Sequence, residues 1–218
     1  MEKEYAAVLY HADGYYEEKK SRFFSEVFPL ENEAQVEQYL QAIRKKYYDA
    51  SHHCYAYTLG KRQEYVKCSD AGEPQGTAGY PMLSVLQGLK VCDCLVVVTR
   101  YFGGTLLGTG GLVRSYTKAA QSALDHAVIV HKKLSDLLLI ETDYGGYGRL
   151  QYCFEKAGLK PSGQDFTDKV SIQLPVPADD TERVIRTVTE ETSGKARIEK
   201  LKQVYAAAVG NETMLFDS

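Results

Sequence analysis

The sequence from Cys94 to Leu124 reads C-L-V-V-V-T-R-Y-F-G-G-T-L-L-G-T-G-G-L-V-R-S-Y-T-K-A-A-Q-S-A-L. Within it, Leu95–Thr99 is a continuous aliphatic and β-branched run, which predicts a fully buried strand that ends at Arg100. Five of the chain's 18 glycines follow, before apolar residues recur at helical spacing. The stretch therefore predicts a buried strand, a glycine-rich loop and a long helix whose alanine-rich face packs closely on a sheet.

The same stretch has the charge pattern of an anion-binding site. It contains no Asp or Glu, and Arg114 and Lys118 lie one turn apart on the predicted helix, beyond Arg100. Backbone N–H groups at a helix start bind phosphate together with such cations. The glycines match neither the spacing of the Walker loop nor that of the dinucleotide-binding fingerprint, so a tight turn with an extended arginine stays the alternative.

We favour binding, because Arg100 and Arg114 bracket the loop and the two aromatic residues beside it can stack on bases. The alternation of side chains along a strand predicts that one of those two aromatics points inward. The predicted anion- or nucleic-acid-binding residues are Arg100, Tyr101, Phe102, Gly103, Gly104, Gly108, Gly110, Gly111, Arg114 and Lys118.

A second motif lies upstream, where S-D-A-G-E-P-Q-G-T-A-G spans Ser69–Gly79. The carboxylates of Asp70 and Glu73 on a turn can hold Mg²⁺ or exchange protons with a substrate. Alternatively, the motif is turn chemistry and Thr77 caps the helix that follows. We favour structure and binding over catalysis here. If the chain is an enzyme, the candidate catalytic residues are His52, Asp70, Glu73 and Thr77.

Neither a metal nor a cofactor is expected. His52 and Cys54 share one face of a predicted strand, but no C-x-x-C spacing accompanies them. The five cysteines are an odd number in a chain without an export signal, and we interpret them as reduced thiols that mostly fill the core. Whether Cys68 of the neighbouring predicted strand comes close to His52 stays open.

The composition is that of an ordinary globular protein, with 44% hydrophobic and 25% charged residues and a net charge of −3. A net negative charge excludes binding of nucleic acid through the overall charge of the chain. Any contact with nucleic acid must therefore be made by a local basic patch. No apolar run approaches the roughly 20 residues of a membrane helix. The first residues lack the apolar segment of a secretory signal. We therefore expect a cytoplasmic protein without a membrane partner.

The patterning predicts two domains, residues 1–133 and 134–218. Besides the strand and helix described above, the first has strands at 5–12, Arg22–Leu30, His53–Leu59 and Glu64–Ser69 and helices at Glu31–Tyr47 and Pro81–Gln87. The second has strand Leu137–Thr142, helix Tyr147–Ala157, strands Leu159–Phe166 and Lys169–Pro175, helix Asp179–Thr192 and strand Ala196–Ala206. That second order is typical of the ferredoxin-like βαββαβ unit.

The N-terminal part resembles the IMPACT family, in the YigZ-type branch found in bacteria. The resemblance lies in V-V-V-T-R-Y-F-G-G from Val96 and in L-G-T-G-G-L-V-R from Leu107, together with the Ser69–Gly79 motif and A-S-H-H-C-Y-A-Y from Ala50. It covers residues 15–130. The family commonly has two acids after the serine, whereas this chain has Asp-Ala there, which weakens a metal hypothesis. The remainder is similar to the ferredoxin-like domain that accompanies this branch.

The resemblance implies an α+β fold of two domains. The first is similar to the second domain of ribosomal protein S-five and to domain four of elongation factor G, and the second to domain five of that factor. Because these relatives lie against RNA in the ribosome, the implied function is translation regulation, with RNA or the ribosome as partner and a protein partner as a further option. Eukaryotic members restrain the kinase that senses amino-acid starvation, a role that does not transfer to a bacterial-type chain. The family has no established catalytic residues, and no DNA sequence specificity is expected.

Three functions stay open at this point. We favour a non-enzymatic RNA- or ribosome-associated protein that binds the phosphate backbone through the glycine loop and the basic helix. The alternative is a small-molecule enzyme, a hydrolase or transferase, that acts on a phosphorylated or carboxylated ligand in the same cleft. The third is a protein–protein interaction module, which needs no pocket.

Overall fold

The computed structural model describes residues 2–217 as two compact units, with the α+β architecture that the sequence predicts. One unit comprises residues 5–130, and the other comprises residues 131–217 with residues 2–4. The strands are β1 Glu4–Val8, β2 Ala12–Glu18, β3 Ser21–Pro29, β4 His52–Leu59, β5 Tyr65–Ser69, β6 Val91–Cys92, β7 Cys94–Tyr101, β8 Ile129–Thr142, β9 Gly163–Phe166, β10 Val170–Pro177, β11 Arg197–Val209 and β12 Glu212–Phe216. The helices are α1 Ala34–Lys46, α2 Gly79–Gly88, α3 Gly108–His126, α4 Tyr144–Lys156 and α5 Thr181–Glu191. None of the helices within residues 2–217 combines the length and the apolar composition that crossing a membrane requires.

The unit of residues 5–130 is built on a five-stranded antiparallel sheet in the order β2-β3-β7-β4-β5. The central strand β7 is the predicted aliphatic strand, and it is buried from Cys94 to Arg100. Both of its faces are covered, because side chains alternate along a strand and helices pack on either side. The residues that pack towards α2 and α3 are Val96 and Val98, and those that pack towards α1 are Leu95 and Val97. The short strands β1 and β6 form a parallel pair.

Helix α3 packs closely on β2 because its inner face consists of small residues. Ala119, Ala120 and Ala123 are fully buried along this face, as their helical spacing predicts. Gly14 of β2 lies against the helix backbone, where an added Cβ would stand 2.4 Å from the backbone nitrogen of Ala123. Glycine at this position is therefore required for the contact that brings β2 beside α3.

The unit of residues 131–217 has the ferredoxin-like topology that the sequence predicts. Its antiparallel sheet has the order β9-β10-β8-β11-β12, and the strands β8 to β11 with α4 and α5 form the βαββαβ unit. The apolar side chains of α4 and α5 form one core with Leu138 and Ile140 of β8 and with Ile172 and Leu174 of β10. Strand β12 extends this sheet beyond β11.

Three strands, β2, β6 and β12, were not predicted from the sequence. Strands β2 and β12 lie at sheet edges, and β6 comprises only two residues. Strand β2 reads A-D-G-Y-Y-E-E, and its polar residues and internal glycine are poor strand formers by themselves. Other elements differ from the predictions at their ends. Helix α3 begins at Gly108, within the glycine loop, and β9 begins at Gly163, beyond Pro161, which interrupts the strand predicted there.

Candidate functional site

The turn between β2 and β3 carries two lysines in an unusual backbone conformation. Glu18 pairs with Ser21, so Lys19 and Lys20 form a two-residue hairpin loop, and their φ angles are +48° and +65°. Such loops normally contain Asn or Gly, because a larger side chain in the left-handed region costs roughly 1–2 kcal/mol. Both lysines are exposed. Two cationic residues therefore occupy turn positions whose backbone conformation favours Asn or Gly.

The glycine loop that the sequence analysis singled out lies directly against this turn. At Gly103 an added Cβ would stand 2.1 Å from the backbone carbonyl carbon of Lys20, and the Gly103 N–H donates to Ser21 Oγ at 3.1 Å. Gly104 and Gly108 have φ angles of +83° and +70°, in the left-handed region. The loop therefore needs glycine both to bend and to reach the β2–β3 turn.

The first turn of α3 has neither an acidic residue nor a side-chain cap. Its N-cap residue is Leu107, whose side chain cannot accept a hydrogen bond from the first backbone N–H groups. Gly110 and Gly111 lie in this turn, and an added Cβ at Gly111 would stand 3.1 Å from the Leu107 side chain. Because the N-terminal end of a helix carries partial positive charge, this end adds to the field of the basic residues around it.

A small cavity, which we call the β2–α3 cavity, opens between the end of β2 and the N-terminal half of α3. Its volume is about 100 Å³. It is lined by Tyr16, Glu18, Lys19, Leu107, Gly111, Arg114, Ser115 and Lys118. Three of these side chains are cations and one is a carboxylate. The cavity therefore has the composition of a site for an anion.

Hydrogen bonds connect three neighbouring side chains in the wall of the cavity. Lys118 Nζ donates to the Tyr16 hydroxyl at 3.3 Å and lies 5.1 Å from the centroid of the Tyr16 ring. The Tyr16 hydroxyl donates in turn to Glu18 at 2.9 Å. Within residues 2–217 neither Lys19, Arg114 nor Lys118 forms an ion pair with a carboxylate. The cations of the cavity thus remain available to a ligand.

Arg100 lies in the interior of the unit rather than in the cavity. Its Nη1 donates to Glu73 Oε1 at 2.7 Å, and the Tyr116 hydroxyl donates to the same oxygen at 2.7 Å. Its Nη2 lies 3.4 Å from Ser21 Oγ. Alternation along β7 directs Arg100 inward, where it is 6% exposed. Its guanidinium therefore serves an internal ion pair that joins β7 to the Ser69–Gly79 motif and to α3.

The surroundings of this ion pair shift the pKa values of two neighbouring groups. Burial raises the pKa of the Tyr116 hydroxyl far above its usual value, and Cys54 and Glu73 raise it further. Burial also raises the pKa of the Cys54 thiol to about 12, although its hydrogen bond with Tyr116 acts in the opposite direction. Both groups stay protonated at neutral pH, so Cys54 is not poised as a nucleophile.

The two aromatic residues that precede the glycines differ in their surroundings. Tyr101 donates a hydrogen bond to Asp49 at 2.7 Å, which together with burial raises the pKa of Tyr101 to about 12. The guanidinium of Arg22 lies 5.0 Å from the centroid of the Tyr101 ring. Phe102 is 52% exposed, with the Arg100 guanidinium 5.8 Å from its ring centroid. Phe102 thus presents the larger open ring surface of the two.

Asp70, one of the four candidate catalytic residues, holds the Ser69–Gly79 motif together through hydrogen bonds. Its carboxylate accepts hydrogen bonds from the backbone nitrogens of Gly76, Ala78 and Gly79 at 2.8 to 2.9 Å. Burial disfavours the charged form of Asp70, but these three N–H groups outweigh it and leave its pKa below the usual value. The carboxylate therefore supports the start of α2.

The other three candidate catalytic residues also form hydrogen bonds within this part of the fold. Thr77 Oγ1 donates to the backbone carbonyl of Pro74 at 2.7 Å, and His52 Nδ1 lies 3.0 Å from the backbone carbonyl of Ala71. Glu73 accepts the two hydrogen bonds described above. None of the four lines the β2–α3 cavity. Among residues 2–217, His, Cys, Asp and Glu side chains nowhere gather in a group of three that could hold a metal ion.

Lys19 and Lys20 were not singled out in the sequence analysis, although a signal for them exists. The pair K-K stands between Y-Y-E-E and S-R-F-F, two runs of strand type that are separated by two residues. Such spacing is typical of a β-hairpin, but the usual Asn or Gly is absent. Since β2 was not predicted, the turn and its two cations were missed with it.

Comparisons with known proteins match both units of the chain. The Impact N-terminal domain matches residues 19–124, and a domain of unknown function, DUF1949, matches residues 140–195. The chain is 34% identical over 187 residues to the IMPACT family member YvyE of Bacillus subtilis, which covers 86% of each chain. It is 32% identical over 162 residues to the IMPACT family member YigZ of Escherichia coli, covering 73% of this chain and 79% of that relative. A crystal structure of a hypothetical protein matches with a TM-score of 0.59 and 27% identity, over 93% of this chain and 99% of that one.

Proposed function

The chain belongs to the IMPACT family, and from this membership and the geometry of its cationic site we propose that it is a non-enzymatic, cytoplasmic translation regulator that binds RNA or the ribosome. It contacts the phosphate backbone through the glycine loop, the β2–β3 turn and the basic side of α3. The resemblance of its two domains to ribosomal and elongation-factor domains that lie against RNA supports this proposal.

The observation that carries the proposal is the set of cations around the glycine loop that have no carboxylate partner within residues 2–217. Lys19, Arg114 and Lys118 line the β2–α3 cavity, and Lys20 adjoins Lys19 in the turn. Residues 94–124 contain no Asp or Glu, so the loop and the first turns of α3 add no negative charge to this set in a chain whose net charge is −3. Cations that gain phosphate partners release counterions from RNA, which is the main source of sequence-independent affinity.

In this proposal Arg100 is a positioning residue and Phe102 is a contact residue. The ion pair of Arg100 with Glu73 fixes the end of β7, from which the glycine loop starts. Phe102 follows directly and offers a half-exposed ring on which a base can stack. The glycines allow an RNA phosphate to approach the backbone N–H groups at the start of α3.

A sucrose-gradient profile of the tagged full chain in cell lysate, at low and at high salt, tests the proposal. We expect co-migration with ribosomal particles at low salt and its loss at high salt. The Arg114→Ala/Lys118→Ala variant should lose co-migration at low salt as well. The matched variant Lys45→Ala removes an exposed cation from α1 and should behave like the unaltered chain. Migration of the unaltered chain at the top of the gradient in every condition would overturn the proposal.

A second candidate function is a hydrolase or transferase that acts on a phosphorylated or carboxylated small molecule. The β2–α3 cavity favours it, because its three cations suit a single anionic group. Proton transfer needs a suitable group close to the bound ligand, and Glu18 is the carboxylate in the wall of the cavity. A metabolite screen for turnover, repeated with Glu18→Gln, tests this function. Turnover that Glu18→Gln abolishes while ligand binding persists supports the enzyme, and lack of turnover on phosphorylated and carboxylated compounds alike contradicts it.

A further inference from the structure

We propose that the β2–α3 cavity binds one terminal phosphate monoester, the group carried by the 5′ end of an RNA strand or by a free nucleotide. This inference rests on the proposed function and narrows it, from contact with any backbone phosphate to recognition of a phosphate at a strand end. The size of the cavity, its net charge and the exposed side chains of the adjoining loop carry the inference.

The cavity has the size of a single oxyanion. Its volume is about 100 Å³. Pockets that enclose drug-sized ligands are larger, at about 300–1,000 Å³. One phosphate group therefore fits inside, whereas a nucleoside must stay outside. An internal phosphodiester has two sugar attachments that need exits, so a small recess favours a phosphate with one attachment.

The charge of the cavity wall also suits a monoester. Lys19, Arg114 and Lys118 oppose the single carboxylate of Glu18, which leaves two positive charges in excess. A phosphate monoester carries about −1.5 to −2 at pH 7 and has three acceptor oxygens. The planar guanidinium of Arg114 can donate to two of these oxygens at once. Lys118 uses one donor on Tyr16, which leaves the others on its ammonium group for the ligand.

The glycine loop beside the cavity offers a surface for the nucleotide that carries the phosphate. Leu107 lines the cavity, and the preceding Leu106 is 82% exposed. Phe102, at the other end of the loop, is 52% exposed. Exposed apolar side chains next to an anion site can cover a base or a sugar, and a ring can stack on a base of any identity. The first nucleotide of a strand thus has a place to lie once its phosphate is bound.

Fluorescence anisotropy of the full chain with a short single-stranded RNA, labelled at its 3′ end, tests the inference. The RNA is used in two forms, with a 5′-phosphate and with a 5′-hydroxyl. We expect the phosphorylated form to bind about tenfold more tightly, because the terminal group adds charge-assisted hydrogen bonds. Lys19→Asn and Arg114→Gln should bring the two affinities together, and the matched variant Lys45→Ala should preserve the difference. Asn is tolerated at the positive φ of position 19, so that variant should remain folded.

The outcomes separate this inference from the proposed function. Equal and measurable affinity for the two RNA forms overturns recognition of the terminal phosphate but leaves RNA binding in place. Calorimetric binding of adenosine 5′-monophosphate that Lys19→Asn abolishes, with no binding of either RNA, supports the monoester site and contradicts the RNA proposal. If neither RNA, adenosine 5′-monophosphate nor inorganic phosphate binds, both proposals fail.

Discussion

The guanidinium of Arg100 lies 2.7 Å from the carboxylate of Glu73, and both side chains are buried. The pair joins the end of β7 to the Ser69–Gly79 motif. Because the Tyr116 hydroxyl donates to the same carboxylate oxygen, α3 is attached to the pair as well. The glycine loop connects β7 to α3, so one carboxylate anchors the elements on both sides of the loop.

Removing Arg100 alone should destabilise the chain strongly. In Arg100→Met the Glu73 carboxylate stays buried without its cation, and we expect the free energy of unfolding to fall by about 3–5 kcal/mol. In the double variant Arg100→Met/Glu73→Leu both charges are replaced by apolar side chains, and the loss should be much smaller than in the single variant. Urea unfolding at pH 7 measures both effects.

The double variant also separates positioning from direct contact. Apolar packing in place of the ion pair should still hold the end of β7, so the variant should bind RNA with nearly the affinity of the unaltered chain. Loss of RNA binding in a double variant of undiminished stability would place Arg100 in the contact surface instead. The matched control is Arg44→Met/Glu37→Leu, which removes an exposed ion pair of 3.1 Å from α1. That change should alter stability by no more than about 1 kcal/mol.

Asp70 should make the stability of the chain depend on pH. Burial disfavours its charge, but the backbone N–H groups of Gly76, Gly79 and Ala78 outweigh burial and lower its pKa in the folded state. A carboxylate whose pKa is depressed by folding stabilises the fold above its unfolded pKa and loses that contribution as pH falls through the folded pKa. We therefore expect Asp70→Asn to cost roughly 1–3 kcal/mol at pH 7, with the deficit shrinking below about pH 4.

Urea unfolding at a series of pH values between neutral and acid measures this deficit. The variant Asp13→Asn neutralises an exposed carboxylate on β2 and should leave the pH profile of stability unchanged. If the deficit of Asp70→Asn were constant across the series, the negative charge of Asp70 would have no part in holding the Ser69–Gly79 motif.

The order of β7, glycine loop and α3 was predictable because each of its signals is local in sequence. The aliphatic run of β7, the clustered glycines and the alanine spacing of α3 can each be recognised within one element. Strand β2 has only the short run Y-Y-E-E as a local signal, and Tyr15 and Glu17 are exposed at the sheet edge. Its most constrained residue is Gly14, and the close approach of α3 that requires glycine there exists only in the tertiary structure.

The candidate site was predictable only in part, for similar reasons. Arg114 and Lys118 follow from helical spacing, and both line the β2–α3 cavity. Alternation along β7 places Arg100 on the face of Val98, which points to burial, but its partner Glu73 is brought there by tertiary folding. Lys19 enters the site through a hairpin whose first strand was not predicted.

Gly103→Ala should separate the glycine loop from the β2–β3 turn. The added Cβ would stand 2.1 Å from the backbone of Lys20, and backbone atoms cannot move aside as a flexible side chain can. We expect a loss of roughly 1–3 kcal/mol in the free energy of unfolding, because the loop or the turn must shift. Anisotropy should show weaker binding of RNA, since the shift moves the loop away from Lys19.

The matched control for this change is Gly88→Ala at the end of α2, where an added Cβ has no heavy atom within 4 Å. That substitution should leave RNA binding unchanged and should stabilise the helix by up to about 1 kcal/mol. Equal stability and equal affinity of the two variants would mean that the loop and the turn do not need their close contact.

Replacing both lysines of the β2–β3 turn should stabilise the fold and weaken RNA binding. In Lys19→Asn/Lys20→Gly both positions receive residues that suit their φ angles of +48° and +65°. We expect the free energy of unfolding to rise by roughly 1–2 kcal/mol, because strain in the left-handed region is relieved. RNA affinity should fall in the same variant, because Lys19 lines the β2–α3 cavity and Lys20 is next to it in the turn. The salt dependence of binding should also become less steep.

A third lysine at positive φ in the same unit separates the effect on stability from the effect on binding. Lys90 has a φ angle of +53° in the connection between α2 and β6, and it does not line the β2–α3 cavity. Lys90→Gly should therefore raise the free energy of unfolding by a similar amount but leave RNA affinity unchanged. If Lys90→Gly weakened binding as much as Lys19→Asn/Lys20→Gly, the affinity would follow the overall positive charge of the unit rather than the cations at this turn, and the proposed contact surface would be wrong.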